Sequence, residues 1–248
     1  MNFKMVFEYK SRVDIGKVNG NANITNKGML SMLENVACMH SDLAGYGISD
    51  IPRTRLSWVQ LNWHVKILRR LKYDEEVTIR TWARSATKVS TLRDFEVLDK
   101  DNKQVCIATT KWTLTNIDTQ TITKITDEIM GKYEPEEKTL FPEFEFKKTR
   151  EPETVYTNEY VYPTQRRDID VNKHMHNLNY LDLAYEALPE NVYIEKLEDD
   201  FNNIDIMYKA AIRLGDTSKC LYAFDNNKHT VVIKSTDNTV LHCIIELS

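Results

Sequence analysis

The sequence predicts an α+β chain of two tandem halves, each an antiparallel sheet wrapped around a long central helix. Three observations predict it. The hydrophobic period switches from two to three-to-four and back within each half, the order strand, helix, run of strands occurs twice, and a Pro-rich charged stretch separates the two occurrences. A helix with a broad apolar stripe needs a concave sheet face to cover it, so one sheet around one helix satisfies each half, with an unrelated α+β sandwich as the plain alternative. Hydrophobic residues make up 42% and charged residues 28% of the 248, the profile of a folded chain and not of a disordered one.

Residues 3–15 open with alternation through Val6 and Tyr9 and read as a strand. From Thr25 the period changes. Met29, Leu33, Val36, His40 and Leu43 fall at helical spacing, Thr25 or Asn26 caps the start, and Gly45 and Gly47 end a helix of about five turns. Beyond Pro52 the strands 56–68, 76–85, 90–98 and 104–116 follow, the last two joined by the turn Asp99-Lys100-Asp101-Asn102. Residues 131–153 hold Pro135, Pro142 and Pro152 in a dense mixture of Glu and Lys and read as an interdomain linker between domains 1–130 and 154–248. The same order then returns: strand 155–163, a helix from near Asn177 with Leu178, Leu181, Tyr185 and Leu188 on one face, and strands 204–213, 219–224, 230–235 and 240–247.

A net charge of −4 argues against nucleic acid bound by general electrostatics. Lys4, Glu8 and Lys10 interrupt the start, unlike a signal peptide, and no apolar run is long enough to span a bilayer, so a cytoplasmic protein with no membrane partner is expected. Cys38, Cys106, Cys220 and Cys243 lie far apart with no paired spacing, against a zinc knuckle or a redox pair. Cys38, Cys106 and Cys243 have apolar neighbours and read as small core residues.

The densest set of reactive groups is Asp168-Ile169-Asp170-Val171-Asn172-Lys173-His174-Met175-His176-Asn177, immediately before the second predicted helix. In an extended loop Asp170, Asn172 and His174 project the same way, and Asn177 is placed to cap the helix, whose first amides then point at the same spot. Hydrolysing a thioester needs a polarised carbonyl, a place for the oxyanion and an activated water, while the thiolate leaves with little protonation help. Helix-start amides with Asn172 suit the carbonyl oxygen, and His174 with Asp170 suits the water. Asp, Asn and His are also turn and cap residues, so this composition leaves a capping role open, as it does a zinc site from His174, His176 and Asp170.

The run from Asp170 to Leu181 resembles the catalytic segment of the acyl-acyl-carrier-protein thioesterases of plants and bacteria, Asp-x-Asn-x-His-x-Asn-Asn followed by a helix. The first half resembles the same family through the helix region 25–47, Trp58-Val59 and Leu92-Arg93-Asp94-Phe95. The resemblance covers nearly the whole chain. It implies two tandem hotdog domains, the N-terminal one enclosing the acyl chain and the C-terminal one catalytic, with Asp170, Asn172 and His174 as the catalytic residues and no cofactor. It implies hydrolysis of fatty acyl-carrier-protein thioesters, with acyl carrier protein as the partner that brings the substrate. Two departures stand out. His176 replaces the first of the paired asparagines, and a Glu that many relatives carry three residues after a Tyr falls, counted from Tyr208, on Ala211. The water then falls to Asp170, with Asp205 or Asp216 as a second acid, or hydrolysis is weakened.

On the substrate side Asn177, Trp58, Met29 and Leu33 are the expected contacts, the apolar ones along an acyl channel; plain core is the other reading of that stripe. Lys66, Arg69, Arg70 and Lys72, with Arg166, Arg167 and Lys173, are the candidate landing surface for an acidic carrier. An acyl-coenzyme A thioesterase, a non-hydrolytic acyl-binding protein and a hotdog hydratase are the competing functions, and oligomeric state, a homodimer included, is open.

Overall fold

The computed structural model of the protein describes residues 6–147 and 149–248, so part of the first expected strand, residues 3–5, lies outside the described residues. The chain divides into two compact units, Met1–Phe146 and Lys147–Ser248.

The first unit contains β1 (Phe7–Arg12), α1 (Asn26–Ala44), the one-turn α2 (Ile51–Thr54), β2 (Leu56–Ile67), β3 (Glu76–Ala83), β4 (Thr91–Asp99), β5 (Gln104–Asn116), the short β6 (Thr121–Ile122) and α3 (Asp127–Gly131). Its sheet runs β1-β3-β4-β5-β2, with β6 on β5 and every pair antiparallel. The boundaries of α1 follow from its caps. Thr25 Oγ1 accepts the Gly28 amide at 2.9 Å, and Gly45 sits at φ 79°, where a residue without Cβ closes the helix. Met29, Leu30, Leu33, Val36 and Ala37 are buried along the helix, and His40 is buried with them. Leu43, expected on that stripe, is 50% exposed, because the buried face continues four residues on from His40 to Ala44 and not three. Gly28 is required where the chain passes under Lys17: a Cβ would lie 2.4 Å from the Lys17 carbonyl oxygen. Gly28→Ala is therefore expected to lower the thermal midpoint by several degrees, about 1–3 kcal/mol of overpacking, read by calorimetry.

Residues 132–146, expected as part of the linker 131–153, are tied to the first unit's sheet. The Glu136 amide donates to the Ala83 carbonyl at 2.9 Å, the Trp82 indole to the Lys138 carbonyl at 2.8 Å, and the Leu140 amide to Asp94 Oδ2 at 3.1 Å. Phe144 stacks on His64 at 3.8 Å between ring centroids. The charges and prolines of this stretch bar regular structure, yet its backbone satisfies polar groups on the sheet, which composition does not reveal.

The second unit contains β7 (Asn158–Pro163), α4 (Asn179–Glu186), α5 (Glu190–Lys196), β8 (Asn203–Tyr208), β9 (Thr217–Asp225), β10 (Lys228–Ser235) and β11 (Leu241–Leu247). The antiparallel order is β8-β11-β10-β9-β7, and α4 packs on β7, β9, β10 and β11. Each unit is thus an α+β hotdog, a sheet closed over one principal helix. The long second helix of the sequence reading is corrected: α4 has 8 residues against 19 in α1. Pro189 has no amide to continue the ladder and disfavours helical backbone at Leu188, so the chain breaks and restarts as α5. Cys220 is buried with Cys106 and Cys243, whereas Cys38 is only half-buried.

Candidate active site

Residues 168–176 form a tight hairpin and not the extended loop expected. Ile169 and Met175 bridge antiparallel, the Asp170 amide donates to the His174 carbonyl at 2.8 Å, and the Lys173 amide donates to the Asp170 carbonyl at 3.0 Å. Lys173 takes the left-handed conformation, φ 63°, that closes the turn. Asp170 Oδ1 accepts the amides of Asn172 at 2.8 Å and His174 at 3.3 Å, and Oδ2 lies 3.5 Å from Asn172 Nδ2. The three residues are therefore brought together by turn closure around one carboxylate, not by strand alternation, since a period of two belongs only to extended chain.

The hairpin is held from both sides. Asp168 is buried, accepts the Tyr162 hydroxyl at 2.8 Å and the Gln165 amide at 2.7 Å, and its carbonyl accepts the His176 amide at 2.8 Å. The Met175 amide donates to the Ile212 carbonyl at 2.8 Å, and the Ile212 amide returns a bond to the Tyr180 hydroxyl at 3.0 Å. The Tyr208 hydroxyl donates to the Asn177 carbonyl at 3.0 Å.

Asn177 does not cap α4, whose N-cap is Leu178 with no side-chain bond. His176 Nδ1 accepts the Leu178 amide at 3.3 Å and its carbonyl accepts the Asn179 amide at 2.9 Å, so the residue that departs from the family pattern engages two amides at the entrance to the helix. The Tyr180 and Leu181 amides are bonded to the Asn177 and Leu178 carbonyls. The first-turn amides expected to point at a carbonyl oxygen are thus engaged locally, because the chain enters the helix through a tight turn.

His174 is half-buried, and its imidazole has no hydrogen bond among the described residues. Burial lowers its pKa, the Arg213 charge lowers it further, and Asp170 opposes both. Arg213 escaped the sequence reading because its effect acts through space, 39 positions along the chain. Ala211, where the family Glu is counted, is exposed. Of the two substitute acids, Asp205 pairs with Glu246 across β8 and β11 and acts on Lys228. Asp216 acts on Tyr180 together with Asp170, and its Oδ2 accepts the Arg213 amide at 2.8 Å, so it is the acid on the hairpin's side.

In the first unit Met29 and Leu33 are 0% exposed. Trp58 is half-buried in a separate cluster, its indole donating to the Tyr133 hydroxyl at 2.8 Å. Of the basic residues, Arg69 is paired with Glu75 at 3.0 Å and Asp99 at 3.3 Å, and Arg70 bonds Asn26, whereas Arg166, Arg167 and Lys173 are exposed. Among the described residues no group of three or more His, Cys, Asp or Glu could hold a metal ion, and no helix is long and apolar enough to cross a membrane.

Comparison with known proteins places these features. The acyl-ACP thioesterase N-terminal domain model matches residues 4–133, and the corresponding C-terminal domain model matches residues 151–243. The oleoyl-acyl carrier protein thioesterase 2 of Arabidopsis thaliana is 28% identical over 205 residues, 75% of this chain and 55% of that protein. The oleoyl-acyl carrier protein thioesterase of Coriandrum sativum is 26% identical over 230 residues, 86% of this chain and 61% of that protein. The chain thus spans little more than half the length of these curated relatives. In fold it is similar to the 12:0-ACP thioesterase from Umbellularia californica, with TM-score 0.85 and 17% identity over 99% of this chain and 97% of that one. The acyl-ACP thioesterase from Bacteroides thetaiotaomicron gives TM-score 0.83 and 20% identity over 98% and 97%. With two family models in tandem, the first covering more than half of its residues, the chain belongs to the acyl-ACP thioesterase family.

Proposed function

We propose that the protein hydrolyses fatty acyl-acyl-carrier-protein thioesters to free fatty acid and carrier thiol, with Asp170, Asn172 and His174 as its catalytic residues. The observation that carries this reading is the hairpin that gathers those residues within the stretch matched by the family's C-terminal domain. A neutral imidazole takes a proton from water, the resulting hydroxide adds to the thioester carbonyl, and the tetrahedral oxyanion collapses with departure of the thiolate. The Asn172 side-chain amide supplies a donor for the oxyanion, a role the α4 amides cannot share while bonded to their own turn. Asp170 orders the turn and stabilises the imidazolium as it forms. Asn177, Trp58, Met29 and Leu33 are the proposed substrate contacts, the last three for the acyl chain. Arg166, Arg167 and Lys173 are the proposed landing charges for an acidic carrier.

Thiol release from acyl-carrier-protein and acyl-coenzyme A thioesters, measured side by side on the purified chain, tests the reading. Faster release from the carrier protein is expected. Acyl chains retained without thiol release would instead make it a binding protein, and loss of an enoyl thioester without free thiol would make it a hydratase. Because the His174 pKa is lowered, the base stays deprotonated below the ordinary histidine range. The acid limb of kcat/KM is therefore expected below pH 6.5, and Arg213→Ala should move it upward by removing a charge that disfavours the imidazolium.

A further inference from the structure

The interior of the first unit carries polar atoms that the protein itself does not satisfy, and three of them, Gln60 Nε2 and Oε1 and Trp63 Nε1, lie on the face of the sheet that also carries Arg93. Arg93 is 6% exposed, its Nη1 is 2.9 Å from His40 Nδ1 and 3.2 Å from Thr81 Oγ1, and its guanidinium lies over the Tyr133 ring at 5.7 Å, with no carboxylate paired to it among the described residues. His40, pushed down to about 3 by burial and by Arg93, is neutral and accepts this bond, so it does nothing to balance the charge. A guanidinium stays charged when buried, and an unpaired buried charge is costly.

Register places two further orphans beside it. Trp63, Thr110 and Arg93 are cross-strand neighbours in one row of β2, β5 and β4, and Gln60, Trp112 and Thr91 form the adjacent row on the same face. Trp63 is 1% exposed with no partner for its indole N–H, and Gln60 is 2% exposed with neither its amide nitrogen nor its oxygen bonded. Since Arg93 reaches His40 on α1, this is the face that meets the helix. Buried polar atoms in folded proteins are nearly always paired, so a charge and three orphan atoms on two adjacent rows call for a missing partner. The unbonded atoms are two nitrogen donors and one amide oxygen, and both hydrogen bonds of the guanidinium in the neighbouring position come from Nη1. Water would meet some of these bonds but would leave the charge unbalanced.

We propose that the interior of the first unit binds the carboxylate of an aliphatic ligand, held by Arg93 with Gln60 and Trp63. A carboxylate matches the guanidinium fork with two acceptor oxygens, and the α1 stripe of Leu33 and Val36 supplies apolar surface for a chain. Two sources share this chemistry: a free fatty acid, and an acyl chain that carries a second carboxylate at its far end.

The test uses the full chain at pH 7, following tryptophan fluorescence and calorimetry on addition of decanoate or decanol, and thiol release from decanoyl and ω-carboxydecanoyl carrier thioesters. Decanoate is expected to bind about 10-fold or more tightly than decanol, as the loss of charge-assisted hydrogen bonds implies. Arg93→Met and Gln60→Leu should each reduce that preference; Gln60→Leu keeps the side-chain volume and so serves where loss of Arg93 prevents folding. A preference for decanoate identifies the free acid as the source. A KM about 10-fold lower for the ω-carboxy substrate, lost in Gln60→Leu, identifies the distal end. Absence of both preferences, or their survival in both variants, overturns the site. Failure of the hydrolytic reading is separate, appearing as no thiol release from the decanoyl carrier whatever decanoate does.

Discussion

His174→Gln is expected to slow thiol release from an acyl-carrier-protein thioester by about two to four orders of magnitude, the usual contribution of a general base. The fold should tolerate it. The turn uses only the His174 backbone, whose amide donates to Asp170 Oδ1 and whose carbonyl accepts the Asp170 amide, and the imidazole bonds no described residue. An unchanged thermal midpoint beside a collapsed rate would therefore assign the loss to chemistry. Asp170 separates two roles in one side chain. Asp170→Asn retains an oxygen for the amides of Asn172 and His174 but removes the charge that favours the imidazolium, whereas Asp170→Ala also leaves both amides without their acceptor. Single-turnover rates should rank wild type, then Asn, then Ala, with the thermal midpoint falling only for Ala. Wild-type rates in both His174→Gln and Asp170→Ala would remove the catalytic assignment.

Leu33→Ala carries the largest expected loss of stability. Leu33 is 0% exposed on the buried stripe of α1, and removing its side chain costs the transfer free energy of the lost carbons together with the cavity left behind, about 2–5 kcal/mol. Urea unfolding should show a reduced midpoint with an unchanged slope. The substitution also separates the two readings of that stripe. A core residue gives the full loss with little change in chain-length preference. A residue that walls an acyl channel gives a smaller loss and a preference for longer chains, because ligand fills the space, each methylene contributing about 0.8 kcal/mol.

The departures from expectation share a pattern. Thr25, Gly45 and the stripe of α1 carry local signals, and the helix ends where those signals place it. The limits of β2 to β5 likewise follow from runs of strand formers bounded by turn residues. The short α2, β6 and α3 have too few residues for any period to register. Residues 132–146 look like a tether by composition and hold to the sheet through backbone bonds to Asp94, Trp82 and Ala83.

At the candidate site the residue types were legible and their geometry was not. Asp170, Asn172 and His174 stand out because three hydrogen-bonding side chains crowd a loop before a helix. Their convergence depends on the left-handed turn at Lys173, and the availability of the α4 amides depends on how His176 enters the helix.

By itself the sequence determined two halves that each run strand, helix and antiparallel strands, the ends of the first long helix, and the segment that carries the reactive groups, because each is written in local periodicity, caps and residue chemistry. Only the tertiary structure decided that Arg213 presses on His174, that Asp216 rather than Asp205 lies on the hairpin's side, and that Arg93 sits buried beside a neutral His40 with no paired carboxylate among the described residues. Those facts join residues distant along the chain. Electrostatics and desolvation act through space, so no reading of neighbouring residues contains them.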